Sequence, residues 1–262
     1  MEYKMIFSDM DGTWLKDDYE VSQKNKQSIL DAKTQGVDFI LCTGRGVFGV
    51  EKFLNQLSLV GQEGYVICQN GGTVYDLRDM SLSIKHGFRT EVILPVVEIA
   101  RKLGLEIYYY DDRKFMAEFE TERVRKYCAV MDTKMQLLSS PTEYDGEFTK
   151  CLLTGPREKL LELRRNIQYL EEDEIDCFFS SPIFMEIVKK GVNKGRALEE
   201  TAQKAGIGLS SVIAVGDGDN DIPMLRQAGM GIAVANADTH VKEVADYVTK
   251  RRCDEDAIAE VI

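Results

Sequence analysis

The stretch YKMIFSDMDGTW (residues 3–14) decides how the chain reads. Tyr3 to Ser8 is aromatic and apolar, long enough for one short buried strand, and it ends abruptly in Asp9, Met10, Asp11 and Gly12. Two carboxylates two residues apart on an extended chain point to one face. Like charges a few Å apart repel by about 1–4 kcal/mol at effective dielectrics of 80 to 20. A strand ending this way needs a proton, a basic side chain or a cation close by. An isolated Asp-x-Asp-Gly is most often just a turn, so the rest of the chain must decide.

Outward from this stretch the chain alternates. Val21 to Gln35 reads as a helix capped by Ser22 and stopped by Gly36. Residues 37–42 (VDFILC) read as a second strand running into Thr43-Gly44-Arg45, 47–59 as a helix, and 65–69 as a third strand running into Asn70-Gly71-Gly72. Strand, helix and strand in this order predict parallel βαβ units. The rhythm changes near residue 73. Short strands at 73–76 and 81–87 precede a helix at 91–103, a tyrosine-rich strand at 105–111, a helix at 120–130 and a strand at 148–154. A helix then runs from Pro156 to about Leu170, and Pro182 parts strands at 177–181 and 184–190. From about 195 the first rhythm returns, with a helix, the strand VIAVGD (212–217), a helix from 221, a strand at 230–235 and three further short elements. The expected class is α/β. A Rossmann-like parallel-sheet core, residues 1–86 and 188–262, carries a separate inserted α+β cap domain, residues 87–187.

Composition narrows the function. A net charge of −11 argues against a general affinity for nucleic acid or for an anionic membrane surface. No apolar run approaches the roughly 18–20 residues that span a bilayer, and the N-terminus does not read as a signal peptide. Six scattered cysteines without a CxxC pair read as buried reduced thiols, and two histidines are too few for a zinc cluster. A cytoplasmic location is expected. The oligomeric state, monomer or dimer, is left open.

In a parallel α/β sheet, ligands bind beyond the carboxyl ends of the strands. Those ends carry Asp9 and Asp11, Thr43, and Gly216-Asp217-Gly218-Asp219-Asn220-Asp221, while Lys194 stands where a helix begins in GVNKG. Convergence at one rim would gather four or five carboxylates. A donor set of hard oxygens alone suits Mg²⁺. With Lys194 it makes a local positive place on an acidic protein, fit for an anionic substrate. A carboxylate is a competent nucleophile toward phosphorus, and a second one can protonate the leaving oxygen and later deprotonate the attacking water.

DMDGT (9–13), TGR (43–45), GVNKG (191–195) and GDGDNDIPM (216–224), in that order, resemble the four motifs of the haloacid dehalogenase superfamily, and most of all its Cof-like phosphatases. NGG (70–72) and SSPIFMEIVKKGVNKG (180–195) extend the resemblance over essentially the whole chain. It implies a Mg²⁺-dependent phosphatase of small phosphomonoesters, such as sugar phosphates or phosphorylated cofactors, working through an aspartyl-phosphate. Asp9 would be the nucleophile. Asp11 would be the general acid and base and lend its backbone carbonyl to the metal. Thr43 would hydrogen-bond the phosphoryl oxygens, and Lys194 would neutralise charge on Asp9 and the phosphoryl group. Asp217 would be the third protein ligand of Mg²⁺, Asp221 would orient a metal-bound water or Lys194, and Asn220 would face the phosphate. Gly44 and Arg45 complete the expected substrate contacts, Arg45 being read equally as a surface ion pair. Trp14 replaces the family's usual Leu, which predicts a bulky ring narrowing the site or touching substrate. Asp219 reads as a solvated loop acid. Tyr108 to Tyr110 read mostly as cap core, with Tyr110–Arg113 and Ser180–Phe184 as candidates for substrate choice. A phosphomutase or a catalytically silent phosphate-binding module are the alternatives.

Overall fold

A computed structural model describes residues 2–15 and 20–262. The chain divides into two units: Met1–Gly44, Val50–Ile84 and Asn193–Ile262 form the first, and Arg45–Gly49 with Lys85–Val192 the second. The divisions fall a few residues from the expected 86/87 and 187/188, and the second unit takes in the short run after Gly44.

In the first unit, β1 (Met5–Ser8) is followed by α1 (Gln23–Thr34), β2 (Asp38–Cys42), α2 (Glu51–Gln56), β3 (Tyr65–Cys68), β4 (Thr73–Asp76) and β5 (Ser81–Lys85). Ser22 caps α1 by accepting from the Asn25 amide, as its sequence predicts. The helix expected over 47–59 is shorter: a 3₁₀ turn at Val47–Gly49 precedes α2.

In the second unit, α3 (Thr90–Leu103), β6 (Glu106–Tyr110), β7 (Phe115–Ala117), α4 (Glu122–Val130), β8 (Met135–Leu137), β9 (Lys150–Thr154), α5 (Arg157–Ile167), β10 (Ile175–Ser181) and β11 (Phe184–Lys189) follow one another. Among the described residues they form a six-stranded sheet ordered β10-β11-β9-β6-β7-β8. The sequence shows β6 as a tyrosine run, and strand alternation sorts it. Ile107 and Tyr109 join the core under α3 and α5 with Val97, Leu153, Leu160 and Ile187. Tyr108 and Tyr110 join the opposite cluster with Phe115, Val124 and Leu152. Tyr110 has no exposed surface, so its ring belongs to this cluster, between Phe48 and Lys150, and within 110–113 only Asp112 and Arg113 reach solvent.

The last third returns to the first unit with α6 (Lys194–Lys204), β12 (Val212–Gly216), α7 (Ile222–Gln227), β13 (Met230–Ala233), α8 (Thr239–Lys242), β14 (Tyr247–Val248) and α9 (Ile258–Val261). The sheet, eight strands among the described residues, runs β14-β13-β12-β1-β2-β3-β4-β5. It is parallel from β14 to β3, and β4 pairs antiparallel with β3. β1 lies between β2 and β12, with Phe7 opposite Ile40 on one side and Ala214 on the other. The carboxyl ends of β1, β2 and β12 therefore stand side by side.

Trp14 corrects an expectation. The ring is fully buried and meets Phe39 and Phe53 edge to face, with centroids 6.5 and 6.3 Å away. With no exposed surface it packs the core of the first unit instead of touching substrate, and among the described residues its indole N–H has no hydrogen-bond partner. All six cysteines are free thiols, four of them buried. Among the described residues no helix is long and apolar enough to cross a membrane.

Candidate active site

Each strand end delivers its residue through a backbone bond to the neighbouring strand. The Asp9 amide donates to the Val215 carbonyl at 2.9 Å, and the Thr43 amide to the Ile67 carbonyl at 3.0 Å. Lys194 opens α6, whose cap Asn193 accepts from the Arg196 amide. A cation at a helix N-terminus opposes the helix dipole, so its place needs another reason. Lys194 is 0% exposed, and its Nζ donates to Asp9 Oδ1 at 2.5 Å and to Asp221 Oδ1 at 2.6 Å.

Asp221 works at both ends. Its other oxygen, Oδ2, accepts from the amides of Asp217 and Gly218 at 2.9 and 3.0 Å, which folds the loop back on itself. Gly216 is required here because a Cβ would run into the Asp221 side chain. Thr13, two residues after Asp11, donates to Asp217 Oδ1 at 2.7 Å and lies 3.4 Å from Asp9 Oδ2. Gly12 sits at φ +80° with its α-carbon against the Asp217 carboxylate, so a side chain would collide as well as strain the backbone.

The electrostatics are lopsided. Oxygens of Asp9, Asp217 and Asp221 lie within 4.8 Å of one another, and Lys194 is the ammonium paired with them. Burial pushes the Asp9 carboxyl well up; Lys194 pulls it back, and Asp221, Asp217 and Asp11 push it further. Burial, then Asp221, raises Asp217 to about 6, with the Thr13 hydroxyl opposing. Burial disfavours the Lys194 ammonium, but Asp221 and Asp9 outweigh it and hold it protonated. Three carboxylates around one ammonium leave negative charge unbalanced in a buried place. Carboxylate oxygens in that number and proximity fit a small hard divalent cation.

The remaining candidates fall in different places. Asp11 is exposed while Asp9 is 6% exposed, so the two acids meet different environments. Thr43 is buried, and its carbonyl accepts from the Asn70 amide at 2.9 Å. Asn70 Oδ1 in turn accepts from Asn220 Nδ2 at 3.0 Å, which ties the ends of β2, β3 and β12 together. Gly44 lies beside the same Asn70 amide, where a Cβ would stand 3.2 Å away. Arg45 is buried in the second unit, with Nη1 3.4 Å from the Gly49 carbonyl, and is no surface residue. Asp219 is exposed as expected and pairs with His240. Sequence reasoning gave no role to Thr13 or Asn70, although both sit inside recognised motifs, and passed over Asn236, which carries no motif signal.

A family model described as haloacid dehalogenase-like hydrolase matches residues 6–262. The chain is 29% identical over 262 residues to the 5-amino-6-(5-phospho-D-ribitylamino)uracil phosphatase YcsE of Bacillus subtilis, covering 100% of this chain and 95% of that one. It is 25% identical over 258 residues to the HMP-PP phosphatase of Yersinia enterocolitica, covering 98% and 93%. The crystal structure of a haloacid dehalogenase-like hydrolase from Bacteroides thetaiotaomicron matches with a TM-score of 0.90 at 30% identity, covering 99% of this chain and 98% of that one.

Proposed function

This chain belongs to the haloacid dehalogenase-like hydrolases, and from that premise we propose that it is a Mg²⁺-dependent cytoplasmic phosphatase of small phosphomonoesters, working through an aspartyl-phosphate on Asp9. The observation that carries the reading is the buried Lys194 ammonium between Asp9 and Asp221, with Asp217 alongside.

The side chain of Asp9 attacks phosphorus, and the P–O bond to the leaving alcohol breaks. Asp11, exposed beside Asp9, acts as the general acid toward the leaving oxygen. Asp11 then takes a proton from the water that attacks the aspartyl-phosphate, and inorganic phosphate leaves with Asp9 restored. Lys194 stays protonated throughout and offsets charge on Asp9 and the phosphoryl oxygens. Thr43, Gly44 and Asn220 are the phosphate contacts. Mg²⁺ would be held by Asp9, Asp217 and the Asp11 carbonyl, with Asp221 orienting Lys194 and the loop. Bound there, it supplies positive charge to the carboxylates and the phosphoryl group.

Relatives named for a phosphoribitylaminouracil and for HMP-PP support a small phosphorylated metabolite as substrate. Asp112–Arg113 and Ser180–Phe184, partly exposed in the second unit, are the residues proposed to rank such esters. Phosphate release from a panel of sugar phosphates, phosphorylated cofactors and nucleotides, with Mg²⁺, with chelator and with Asp9→Asn protein, tests the reading. Release that needs Mg²⁺ and is lost in Asp9→Asn supports it, and release that survives the substitution overturns it. Phosphate returned to substrate instead of water would make the enzyme a mutase.

A further inference from the structure

Three residues that follow β13, Asn236, Asp238 and His240, reach both acidic loops of the first unit. Asn236 Nδ2 donates to the Gly12 carbonyl at 2.7 Å, in the turn that carries Asp9 and Asp11. Its Oδ1 accepts from the Cys253 amide at 2.7 Å. Two residues on, the Asp238 amide donates to the Asp217 carbonyl at 3.2 Å, and His240 pairs with Asp219. Gly12 and Asp217 are pressed together, with no space for a Cβ between them. Whatever fixes the Gly12 peptide also fixes the gap in which the Asp9 and Asp217 oxygens meet.

We propose that Asn236 is a positioning residue. Its amide clamps the Asp9–Thr13 turn against the Asp217–Asp221 loop and thereby sets the affinity of the acidic pocket for its divalent cation. The proposal rests on the reading of that pocket given above. The residue type follows from the two bonds. One end must donate to a carbonyl and the other must accept from an amide, which a primary amide does and an ionised carboxylate does not. Partners that orient metal-binding groups typically change metal affinity by 10–100-fold when removed.

Three variants separate the two bonds. Asn236→Ala removes both. Asn236→Asp keeps an acceptor for Cys253 and loses the donor for Gly12. Cys253→Pro removes the Cys253 N–H together with its thiol, and leaves Asn236 and its bond to Gly12 in place. Cys253 opens a 3₁₀ turn and Arg252 before it is already extended at φ −83°, ψ 168°, so proline fits there. Mg²⁺ binding is measured by calorimetry, and hydrogen exchange of residues 9–15 is measured in metal-free protein. The Thr13, Trp14 and Leu15 amides, all bonded to the Met10 carbonyl, are the reporters. Asn236→Ala and Asn236→Asp are expected to weaken Mg²⁺ binding about 10–100-fold and to speed exchange of those amides. Cys253→Pro is expected to leave both within about threefold, a much smaller change than that range.

Unchanged Mg²⁺ affinity and exchange in Asn236→Ala would overturn the proposal. So would equal losses in Asn236→Ala and Cys253→Pro, which would place the effect in the C-terminal segment. A wild-type protein that takes up no Mg²⁺ would overturn the reading of the pocket itself, and exchange in the metal-free variants would still decide whether Asn236 holds the turn.

Discussion

Among the described residues two lysines are buried, one in each unit, and their surroundings differ in kind. Lys150, 2% exposed, meets the carboxylate of Glu186 at 3.1 Å and lies 4.6 Å from the centre of the Tyr110 ring. The Tyr110 and Tyr127 hydroxyls hydrogen-bond to each other beside it. Burial disfavours the ammonium and is outweighed chiefly by Glu186. Lys194 has two carboxylates on its ammonium and a third close by. The Lys150–Glu186 pair is buried in the second unit. The acids about Lys194 leave negative charge that protons or a further cation would meet. Burial alone therefore does not tell the two lysines apart; the three carboxylates gathered at Lys194 do.

The comparison can be broken first by replacing each lysine. Lys194→Met is expected to lower kcat/KM for any accepted ester by about 10²–10³-fold or more, and Asp9→Asn to remove turnover further still, both read as phosphate release under saturating Mg²⁺. Lys150→Met should leave turnover per folded molecule nearly unchanged. It strands Glu186 in the core, so urea unfolding should show a loss of about 3–5 kcal/mol. Pairing it with Glu186→Leu should recover most of that loss, since a buried ion pair can be exchanged for apolar packing at little net cost. If Lys150→Met abolished turnover with its unfolding midpoint unmoved, the distinction between the two lysines would fall.

A smaller effect sharpens it. Asp217 has its carboxyl raised to about 6 in the folded chain, against about 4 in an unfolded one. The folded state binds the extra proton between those values. Without metal, the stability tied to Asp217 therefore falls as pH rises from about 4 through 6, by at most about 3 kcal/mol. The slope of melting temperature against pH should flatten in Asp217→Asn and also in wild type saturated with Mg²⁺. At pH 7.5 the metal-free Asn variant should melt higher than wild type, although its turnover is lost. A variant that melts lower there would show that Asp217 stabilises the apo protein and that the pocket carries no surplus charge.

Much of this was legible because the acids and Lys194 sit at ends of well-patterned strands and helices. A parallel sheet has only one rim where such ends meet. The Lys150–Glu186 pair was not legible. It depends on the register that sets Leu152 opposite Glu186 across β9 and β11 and Lys150 opposite Tyr110 across β9 and β6, and no local pattern fixes a register. β7 and β8, three residues each, are too short for alternation to show. Trp14 was misread because its distance from Asp9 along the chain said nothing of which way the turn would throw its ring. Asn236 was missed because its bonds reach back 224 residues to Gly12.

The position of β1 between β2 and β12 also governs how the chain can be made. Its first neighbour is complete at Cys42, but the second ends only at Gly216. At synthesis rates of about 5–20 residues per second, one edge of β1 stays without a partner for roughly 10–35 s while the intervening chain is built. Within that interval Lys85–Val192 emerges as one unbroken run with its own core, free to finish folding first. Asp9 waits with it, since Lys194 has not yet been added to the chain. Asp9 is made 185 residues before the ammonium that pairs with it.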